Sequence, residues 1–365
     1  MNIPAALPDP LHFQNGEPVA APADWQRRRT ELLELFRRHV YGHAPVGRPD
    51  DLTFAVLETH TDALDGAATR KQIEIRFGGF AFDLKLLIPN AATRPAPCFV
   101  FANNRSALSA DAVETEFWPA ADIIARGYAT AVFDMGQLDP DFDDGFKNGV
   151  HGLYDDERGS DSWGTIAAWA WGAHRVMDYL QTDEAIDADK IALVGHSRGG
   201  KAALWAGAQD ERFGLVVSNN SGCSGAALAR GNQGETIAAI NDRFPHWFCE
   251  NYKNYNDREN ELPLDQHQLL ALVAPRLLYV ASASEDSWAD PQAEFSAAVA
   301  ASPVYELLGE TGLPDLTSPA TNVAMLSGRI GYHRREGKHD LTRFDWMRFL
   351  DFADAHGWGG ANSVG

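Results

Sequence analysis

Ser197 lies in the pattern GHSRG (195–199), which matches G-x-S-x-G. A run of strand formers, IALV, precedes it, and a run of helix formers, KAAL, follows it. Between a strand and a helix, such a pattern makes a tight turn that lifts the serine hydroxyl off a sheet and aims backbone N–H groups at a developing oxyanion. Because G-x-S-x-G also occurs by chance, a plain glycine-rich turn is the alternative.

A serine hydroxyl needs a base, and the base needs a carboxylate to orient it. With this motif the expected chain order is Ser, Asp, His. His339, in a predicted loop before an amphipathic terminal helix, is the best candidate for the base. His333 is a rival that we expect in the same loop. His356 is expected at the surface, and His196 cannot easily fold back on its neighbour Ser197.

The carboxylate is expected where the predicted strand PRLLYVAS ends, in the segment ASEDSWADP (283–291). An acid at the tip of that strand fits the Ser, Asp, His order, and Asp286 is our choice. Glu285 and Asp290 stay open as alternatives, and each could instead cap a helix or lie in a solvated turn.

The elements around these residues predict an α/β fold with a mostly parallel sheet. Alternating and then continuously apolar segments predict strands between residues 52 and 135, after an N-terminal helix at 25–42. An Asp/Gly-rich stretch at 137–162 is predicted to be a loop. Strands and helices then alternate, and no composition shift marks a boundary. We expect one catalytic domain over 1–365, with residues 1–45 packing on it.

Composition excludes several classes of function. The net charge of −20, from 31 Lys+Arg and 51 Asp+Glu, disfavours a nucleic-acid partner. No apolar run reaches the roughly 20 residues of a membrane span, so no membrane association is expected. The sequence has no HExxH motif and no cluster of histidine ligands, which disfavours a metal enzyme. No GxGxxG follows an early strand, which disfavours a dinucleotide enzyme. We therefore expect no metal and no cofactor. The three cysteines include no CxxC pair, and one disulfide between two of them is possible.

Six motifs together resemble one family over about residues 160 to 355. They are GHSRGGK, SNNSGCSGAAL, FPHWF, LPLDQHQLLALVAPR, SEDSWADP and GKHDLT. In this order they resemble the glucuronoyl esterases of carbohydrate esterase family 15, the bacterial branch more than the fungal one. The resemblance implies an α/β-hydrolase that cleaves the ester between 4-O-methyl-glucuronic acid side groups of glucuronoxylan and lignin alcohols.

The resemblance also implies a location and an association state. It implies a secreted or periplasmic enzyme, whereas the N-terminus shows no signal peptide, so a cytoplasmic location or a trimmed signal stays open. A monomer is expected.

The resemblance carries roles over to individual residues. Ser197 would be the nucleophile, His339 the base and Asp286 the acid. Arg198 would help to form the oxyanion hole. The sugar hydroxyls would be bound by three further residues, Lys201, Glu235 and Trp288.

Two departures from the family pattern stand out. Fungal members place the triad carboxylate just before the SG of the second motif, where this chain has Asn220. An amide cannot stabilise an imidazolium as a carboxylate does, so the role should fall on Asp286. In the segment FVFANNRSAL, where members usually carry a glycine-bearing loop, Asn103, Asn104 or Arg105 is expected to line the cleft.

Two other functions are compatible with the same residues. An acetyl-xylan or other carbohydrate esterase would keep the triad but would need no cation reaching the sugar, so removal of the charge of Lys201 discriminates. A catalytically silent carbohydrate-binding protein would keep only the fold. The joint presence of Ser197, a suitable acid and His339 counts against it.

Overall fold

The computed structural model describes residues 7–105, 115–155 and 157–359. Within these ranges, ten strands form one sheet in the order β1-β2-β3-β5-β4-β6-β7-β8-β10-β9. The strands are β1 (Thr53–Ala63), β2 (Ala68–Phe77), β3 (Phe80–Pro89), β4 (Ala96–Asn103), β5 (Ala129–Asp134), β6 (Ile186–His196), β7 (Leu215–Asn219), β8 (Leu277–Ala283), β9 (Ala324–Met325) and β10 (Ile330–Arg335).

The sheet is antiparallel at one end and parallel through its centre. Strands β1, β2 and β3 pair antiparallel in succession, and β3 is also antiparallel to β5. From β5 through β4, β6, β7 and β8 to β10, every pairing is parallel. The carboxyl ends of the central strands therefore meet at one edge, where open α/β sheets bind their ligands.

Helices cover both faces of this sheet. They are α1 (Pro22–Phe36), α2 (Ala120–Ala125), α3 (Met135–Leu138), α4 (Gly149–Tyr154), α5 (Thr165–Leu180), α6 (Arg198–Gln209), α7 (Ile237–Arg243), α8 (Gln266–Ala271), α9 (Pro291–Leu307) and α10 (Arg343–Ala355). A π-helical turn, Arg37–Tyr41, continues α1, and two 3₁₀ turns span Glu250–Tyr255 and Glu259–Glu261.

Side chains of the central strands alternate between two hydrophobic cores. On β4, Val100 packs into a large core shared with α1, α5, α6 and α9, whereas Phe101 packs into a smaller one shared with α2 and α10. Both side chains are essentially buried. A strand buried on both faces reads as a continuous apolar run, which is the pattern that predicted it. The predicted α/β class with a mostly parallel sheet is confirmed.

The structure corrects the sequence prediction in two places. The segment 137–162 is not all loop, because α4 lies within it. His333 does not lie in a loop, because it belongs to strand β10, parallel to β8. The segment of the sixth motif, GKHDLT, does lie between β10 and α10 as predicted.

Cys98, Cys223 and Cys249 are buried and free, so none of the three forms the disulfide that the sequence left open. Across the described residues, no helix is both long and apolar enough to span a bilayer.

Candidate active site

Ser197 occupies a sharp turn between β6 and α6. Its φ of 55° and ψ of −124° lie in a region that non-glycine residues rarely adopt. The turn is tight enough that a Cβ on Gly195 would lie 2.0 Å from the carbonyl oxygen of Gly199. The backbone N–H of Ser197 donates to the carbonyl oxygen of Asn219 at 2.9 Å, which fixes the turn to the end of β7. Such a turn is the nucleophile elbow that the motif predicted.

Asp286 and His339 come from loops that follow two neighbouring strands, β8 and β10. His339 Nδ1 lies 2.6 Å from Asp286 Oδ2. The carboxylate is buried, whereas the imidazole keeps 41% of its side-chain surface exposed. The remaining ring nitrogen, Nε2, makes no hydrogen bond to any described residue. An imidazole that is held at Nδ1 by a carboxylate and has Nε2 free is suited to proton transfer at the cavity.

Several donors hold Asp286 as a carboxylate. Asn220 Nδ2 donates to the same Oδ2 at 2.8 Å, and the Ala289 N–H donates to Oδ1 at 3.3 Å. Burial alone would raise the pKa of Asp286, but the hydrogen bond and charge of His339, with the amide of Asn220, outweigh burial and lower it. Asn220, at the position where fungal members are expected to carry a carboxylate, thus donates to the carboxylate of Asp286.

The hydroxyl of Ser197 and the ring of His339 line one cavity of about 310 Å³ together with Asp286. Among the described hydrogen bonds, none joins the serine hydroxyl to the imidazole. Catalytic hydrogen bonds are often long without substrate and tighten in the complex, so this separation is compatible with a triad.

The rival histidines have other partners. His333 is fully buried, with Nε2 2.8 Å from Asp345 Oδ1 and Nδ1 2.9 Å from the hydroxyl oxygen of Tyr279. His356 is half-buried at the end of α10, with Nε2 3.1 Å from the Leu326 carbonyl oxygen. Neither lines the cavity that holds Ser197.

His196 is buried beside the triad, with its ring centroid 4.6 Å from that of His339. Its Nδ1 lies 2.6 Å from Asn219 Oδ1. Burial, reinforced by the neighbouring His339, lowers the pKa of His196 to about 3, so the ring is neutral. His196 therefore packs as a neutral ring against the ring of His339.

The rival carboxylates also lie elsewhere. Asp290 caps α9, where its Oδ1 accepts from the Ala293 N–H at 3.0 Å and its Oδ2 accepts from the Gln233 N–H at 2.8 Å. Glu285 is exposed. Of the three candidate acids, Asp286 is the one that contacts His339.

Arg198 lies at the cavity next to Ser197. Its Nη1 donates to Asp141, a residue of the Asp/Gly-rich stretch. Its guanidinium carbon lies 5.2 Å from the ring centroid of Trp247, in cation–π range. Burial lowers the pKa of Arg198, reinforced by nearby Arg243, yet the group stays charged at neutral pH. Arg198 Nε is buried and has no hydrogen-bond partner among the described residues, so the cation keeps a spare donor.

Lys201, Glu235 and Trp288 form one connected group on the cavity wall. The buried ammonium of Lys201 donates to the Ser221 carbonyl oxygen at 2.7 Å, to the Cys223 carbonyl oxygen, and to Glu235 Oε2 at 3.1 Å. Trp288 Nε1 donates to Glu235 Oε1 at 3.0 Å, and the indole stays 47% exposed. The three donors of Lys201 are thus all engaged. Glu235 is 5% exposed and reaches the cavity with little surface, so Trp288 offers most of the surface that this group presents to a ligand.

Part of the cavity wall is formed by residues to which the sequence assigned no role in the site, although Trp247 was expected in the core or in a cleft wall. Phe244 and Trp247 stack with their ring centroids 3.7 Å apart, and the exposed Arg243 lies against Phe244. Trp247 Nε1 donates to Asp141 Oδ1 at 2.7 Å, so this carboxylate joins the aromatic wall to Arg198. The motif FPHWF was a signal for the aromatic pair, whereas no local signal marked Asp141.

The predicted cleft residues at the end of β4 lie outside this cavity. None of Asn103, Asn104 and Arg105 is among the described residues that line it. Arg105 instead pairs with Asp340 at 2.8 Å and lies over the ring of Phe117. The remainder of that segment, 106–108, falls outside the described residues.

A strained serine elbow between strand and helix, with an acid and a histidine on later strand ends, defines an α/β-hydrolase. Residues 78–309 match the family model described as glucuronyl esterase, fungi. The chain belongs to the glucuronoyl esterase family, carbohydrate esterase family 15, and is a carboxylic ester hydrolase.

Individual relatives agree with this assignment. A solved glucuronoyl esterase from Solibacter usitatus is 43% identical with a TM-score of 0.90, covering 97% of this chain and 98% of its own. Carbohydrate esterase MZ0003, from an unknown prokaryotic organism, is 42% identical over 97% of this chain and 90% of its own length. The 4-O-methyl-glucuronoyl methylesterase 1 of Wolfiporia cocos is 30% identical over 85% of this chain and 73% of its own length.

Proposed function

We propose that this esterase cleaves 4-O-methyl-glucuronoyl esters of glucuronoxylan with Ser197 as nucleophile, His339 as base and Asp286 as the orienting acid. The observation that carries the proposal is the 2.6 Å contact between His339 Nδ1 and Asp286 Oδ2 on a cavity that Ser197 also lines. The contact fixes the tautomer in which Nδ1 carries the proton and Nε2 is free to accept one.

The reaction then proceeds through an acyl-enzyme. The hydroxyl oxygen of Ser197 attacks the uronate carbonyl carbon while its proton passes to His339 Nε2. The bond from the carbonyl carbon to the alcohol oxygen breaks, and the alcohol leaves with that proton. Water, deprotonated by the same nitrogen, attacks the acyl-enzyme and releases glucuronate and free Ser197.

The oxyanion would be stabilised from the start of α6. The backbone N–H of Arg198 makes no backbone hydrogen bond within the described residues, and its position after the nucleophile is where such a donor is expected. The guanidinium of Arg198 adds a charge beside the reacting carbon, with a spare Nε–H. A negative oxygen that develops in a partly buried site is stabilised strongly by such donors.

The sugar would bind against Glu235 and Trp288. The outward-facing indole offers a flat apolar surface to a sugar ring, and the carboxylate accepts hydrogen bonds from hydroxyls. Lys201 belongs to the same group, but a hydroxyl that binds its ammonium must replace one of three protein acceptors. Its main effect would therefore be to hold Glu235 in place.

The ester of a glucuronate side group with a lignin alcohol is the substrate of this proposal. Since that polymer lies outside the cell, a secreted or periplasmic location belongs to the same proposal, as does action as a monomer. The net charge of −20 disfavours a nucleic-acid partner.

The test compares the hydrolysis of benzyl glucuronate and of acetylated xylan by the wild-type chain and by Ser197→Ala. We expect cleavage of the glucuronate ester to dominate and to fall by at least about 10,000-fold in the variant. Glu285→Ala is the matched control, because Glu285 is exposed and lies one residue from Asp286.

Dominant acetyl release would overturn the uronate specificity and favour an acetyl-xylan esterase on the same triad. If the wild-type chain cut neither ester, a silent carbohydrate-binding protein would replace the proposal.

A further inference from the structure

A second cavity, of about 380 Å³, lies at the far end of α6 from Ser197. It is lined by side chains of the segment after α1, of α5 and of α6, among them Arg37, Arg48, Trp171, His174, Arg175 and Trp205. Helix α6 has 12 residues and is thus about 18 Å long. We call this the Arg37 cavity, and it shares no lining residue with the active-site cavity.

The Arg37 cavity is cationic in a strongly acidic chain. Three arginines line it, and no described lining residue is a carboxylate. Arg175 is engaged, since its Nε donates to Asp178 at 2.8 Å and its Nη1 to the Gly47 carbonyl oxygen at 2.7 Å. Arg48 Nε is 3.7 Å from Asp178, and its side chain is exposed.

Arg37 is the cation with free donors. Its side chain makes no hydrogen bond or ion pair to another residue within 7–105, 115–155 and 157–359. It opens the π-helical turn Arg37–Tyr41, a geometry that frequently marks functional sites. Two donor-rich guanidinium groups, of Arg37 and Arg48, therefore face a cavity without a carboxylate of its own, which suits a bound carboxylate.

The floor of the Arg37 cavity is aromatic and carries a neutral histidine. Trp171 and Trp205 are buried and line it. His174 Nε2 lies 3.1 Å from the carbonyl oxygen of Ala206, so Nε2 carries the proton and Nδ1 is an acceptor. Burial lowers the pKa of His174, which keeps the ring neutral. A hydroxyl can donate to Nδ1, and Gln209 adds an amide at the rim.

We infer that the Arg37 cavity binds a carboxylate-bearing sugar, with the carboxylate against Arg37 and Arg48, a hydroxyl on His174, and the ring against the indoles. An inorganic anion would use the arginines but neither the indoles nor the hydroxyl acceptor. A neutral sugar would leave Arg37 without a partner among the described residues. The identity of this sugar as a free glucuronate side group of the same xylan rests on the proposed function. The inference that the Arg37 cavity binds a carboxylate-bearing sugar does not rest on it.

The test is calorimetric titration of the Ser197→Ala chain with D-glucuronate, D-xylose, acetate and inorganic phosphate. We expect one glucuronate-binding step that weakens at least ten-fold on Arg37→Ala. The matched control is Arg38→Ala, which removes the same charge from an exposed neighbour outside the Arg37 cavity and should change that step less than two-fold. Hydrolysis of a small ester by the otherwise wild-type Arg37→Ala chain should stay unchanged.

The inference is wrong if Arg37→Ala leaves glucuronate binding intact, or if the control weakens it equally. Phosphate or acetate binding as tightly as glucuronate would also overturn it, because a general anion site needs no sugar. If the wild-type chain failed to cleave the ester, only the proposed function would be overturned. The inference about the Arg37 cavity would stand, because the titration measures binding by the Ser197→Ala chain and needs no catalysis.

Discussion

The two sides of the active-site cavity hold their polar groups in different ways. On the reacting side, Ser197 sits in strained backbone and His339 is tied at one nitrogen only. On the sugar side, Lys201 and Glu235 form a buried pair in which the ammonium has three oxygen partners. Within the described part of the chain, the reacting side thus keeps a hydroxyl and a ring nitrogen without partners, whereas the sugar side has satisfied its charges.

This difference indicates what each side contributes. Unsatisfied groups can change their bonding during a reaction at little cost, which suits a nucleophile and its base. A buried ion pair that lost one partner would leave an uncompensated charge, which is strongly destabilising. The pair on the sugar side therefore has to stay intact, and it serves as a fixed structural wall. Mutations on the reacting side should therefore reduce rate with little loss of stability, and those in the buried pair should reduce stability first.

Asp286→Asn should give the largest effect. The amide cannot stabilise the imidazolium and can hold His339 in the wrong tautomer, so we expect kcat to fall about 10,000-fold. The unfolding free energy should change far less than this rate effect, which corresponds to about 5 kcal/mol. Steady-state kinetics with benzyl glucuronate and urea unfolding measure the two quantities. A rate within ten-fold of wild type would show that another acid orients the base.

Lys201→Met should have the next largest effect, and on stability. It leaves Glu235 buried without its cation, so we expect the unfolding free energy to fall by about 3–5 kcal/mol. The control is Lys201→Met combined with Glu235→Gln, which removes both charges and should recover most of the loss. A single variant as stable as wild type, measured in urea, would show that the pair is not a structural wall.

Glu294→Gln tests a buried carboxyl behind the reacting side. Glu294 accepts from the Gly222 N–H at 3.0 Å and the Ser282 hydroxyl at 2.6 Å, and burial raises its pKa to about 8, with Asp286 adding to the shift. Because the folded pKa exceeds the unfolded value of 4.5, the stability that this proton gives is complete below pH 4.5 and is lost as pH rises through about 8.

We therefore expect the glutamine variant to be the more stable chain at pH 8.5, by on the order of 5 kcal/mol. Near pH 5 the difference should vanish. Thermal unfolding from pH 5 to 9 measures this, with Glu285→Gln as the exposed control. Parallel pH profiles for the wild-type and Glu294→Gln chains would show that Glu294 is already ionised at neutral pH.

The sequence predicted the local parts of this site better than the distant ones. The elbow of Ser197 could be predicted because strand, glycines and helix are contiguous. Strand β10 was mistaken for loop because its His333 and Arg335 look solvent-exposed in sequence, and only the fold shows that both pair with buried Asp345 of α10. The contact of Asp141 with Arg198 joins residues 57 positions apart, and no periodicity encodes it.

Asn220→Ala should give the smallest effect on the reacting side. It removes one of the donors to Asp286 Oδ2 but leaves the contact of His339 with that oxygen. Loss of one such hydrogen bond costs about 1 kcal/mol, so kcat should fall about five-fold. Since the amide of Asn220 helps to lower the pKa of Asp286, its removal should raise that pKa and move the acid limb of the pH–rate profile upward.

The pH–rate profile of Asn220→Ala, set beside that of Asp286→Asn in the same assay, separates the two roles. A small loss with a shifted acid limb identifies Asn220 as a positioning residue that acts through the carboxylate. A loss as large as that of Asp286→Asn would contradict this, because it would mean that the segment after β7 still carries the main support for the base. The comparison thus decides which of two neighbouring strand ends supplies the acid function in this chain.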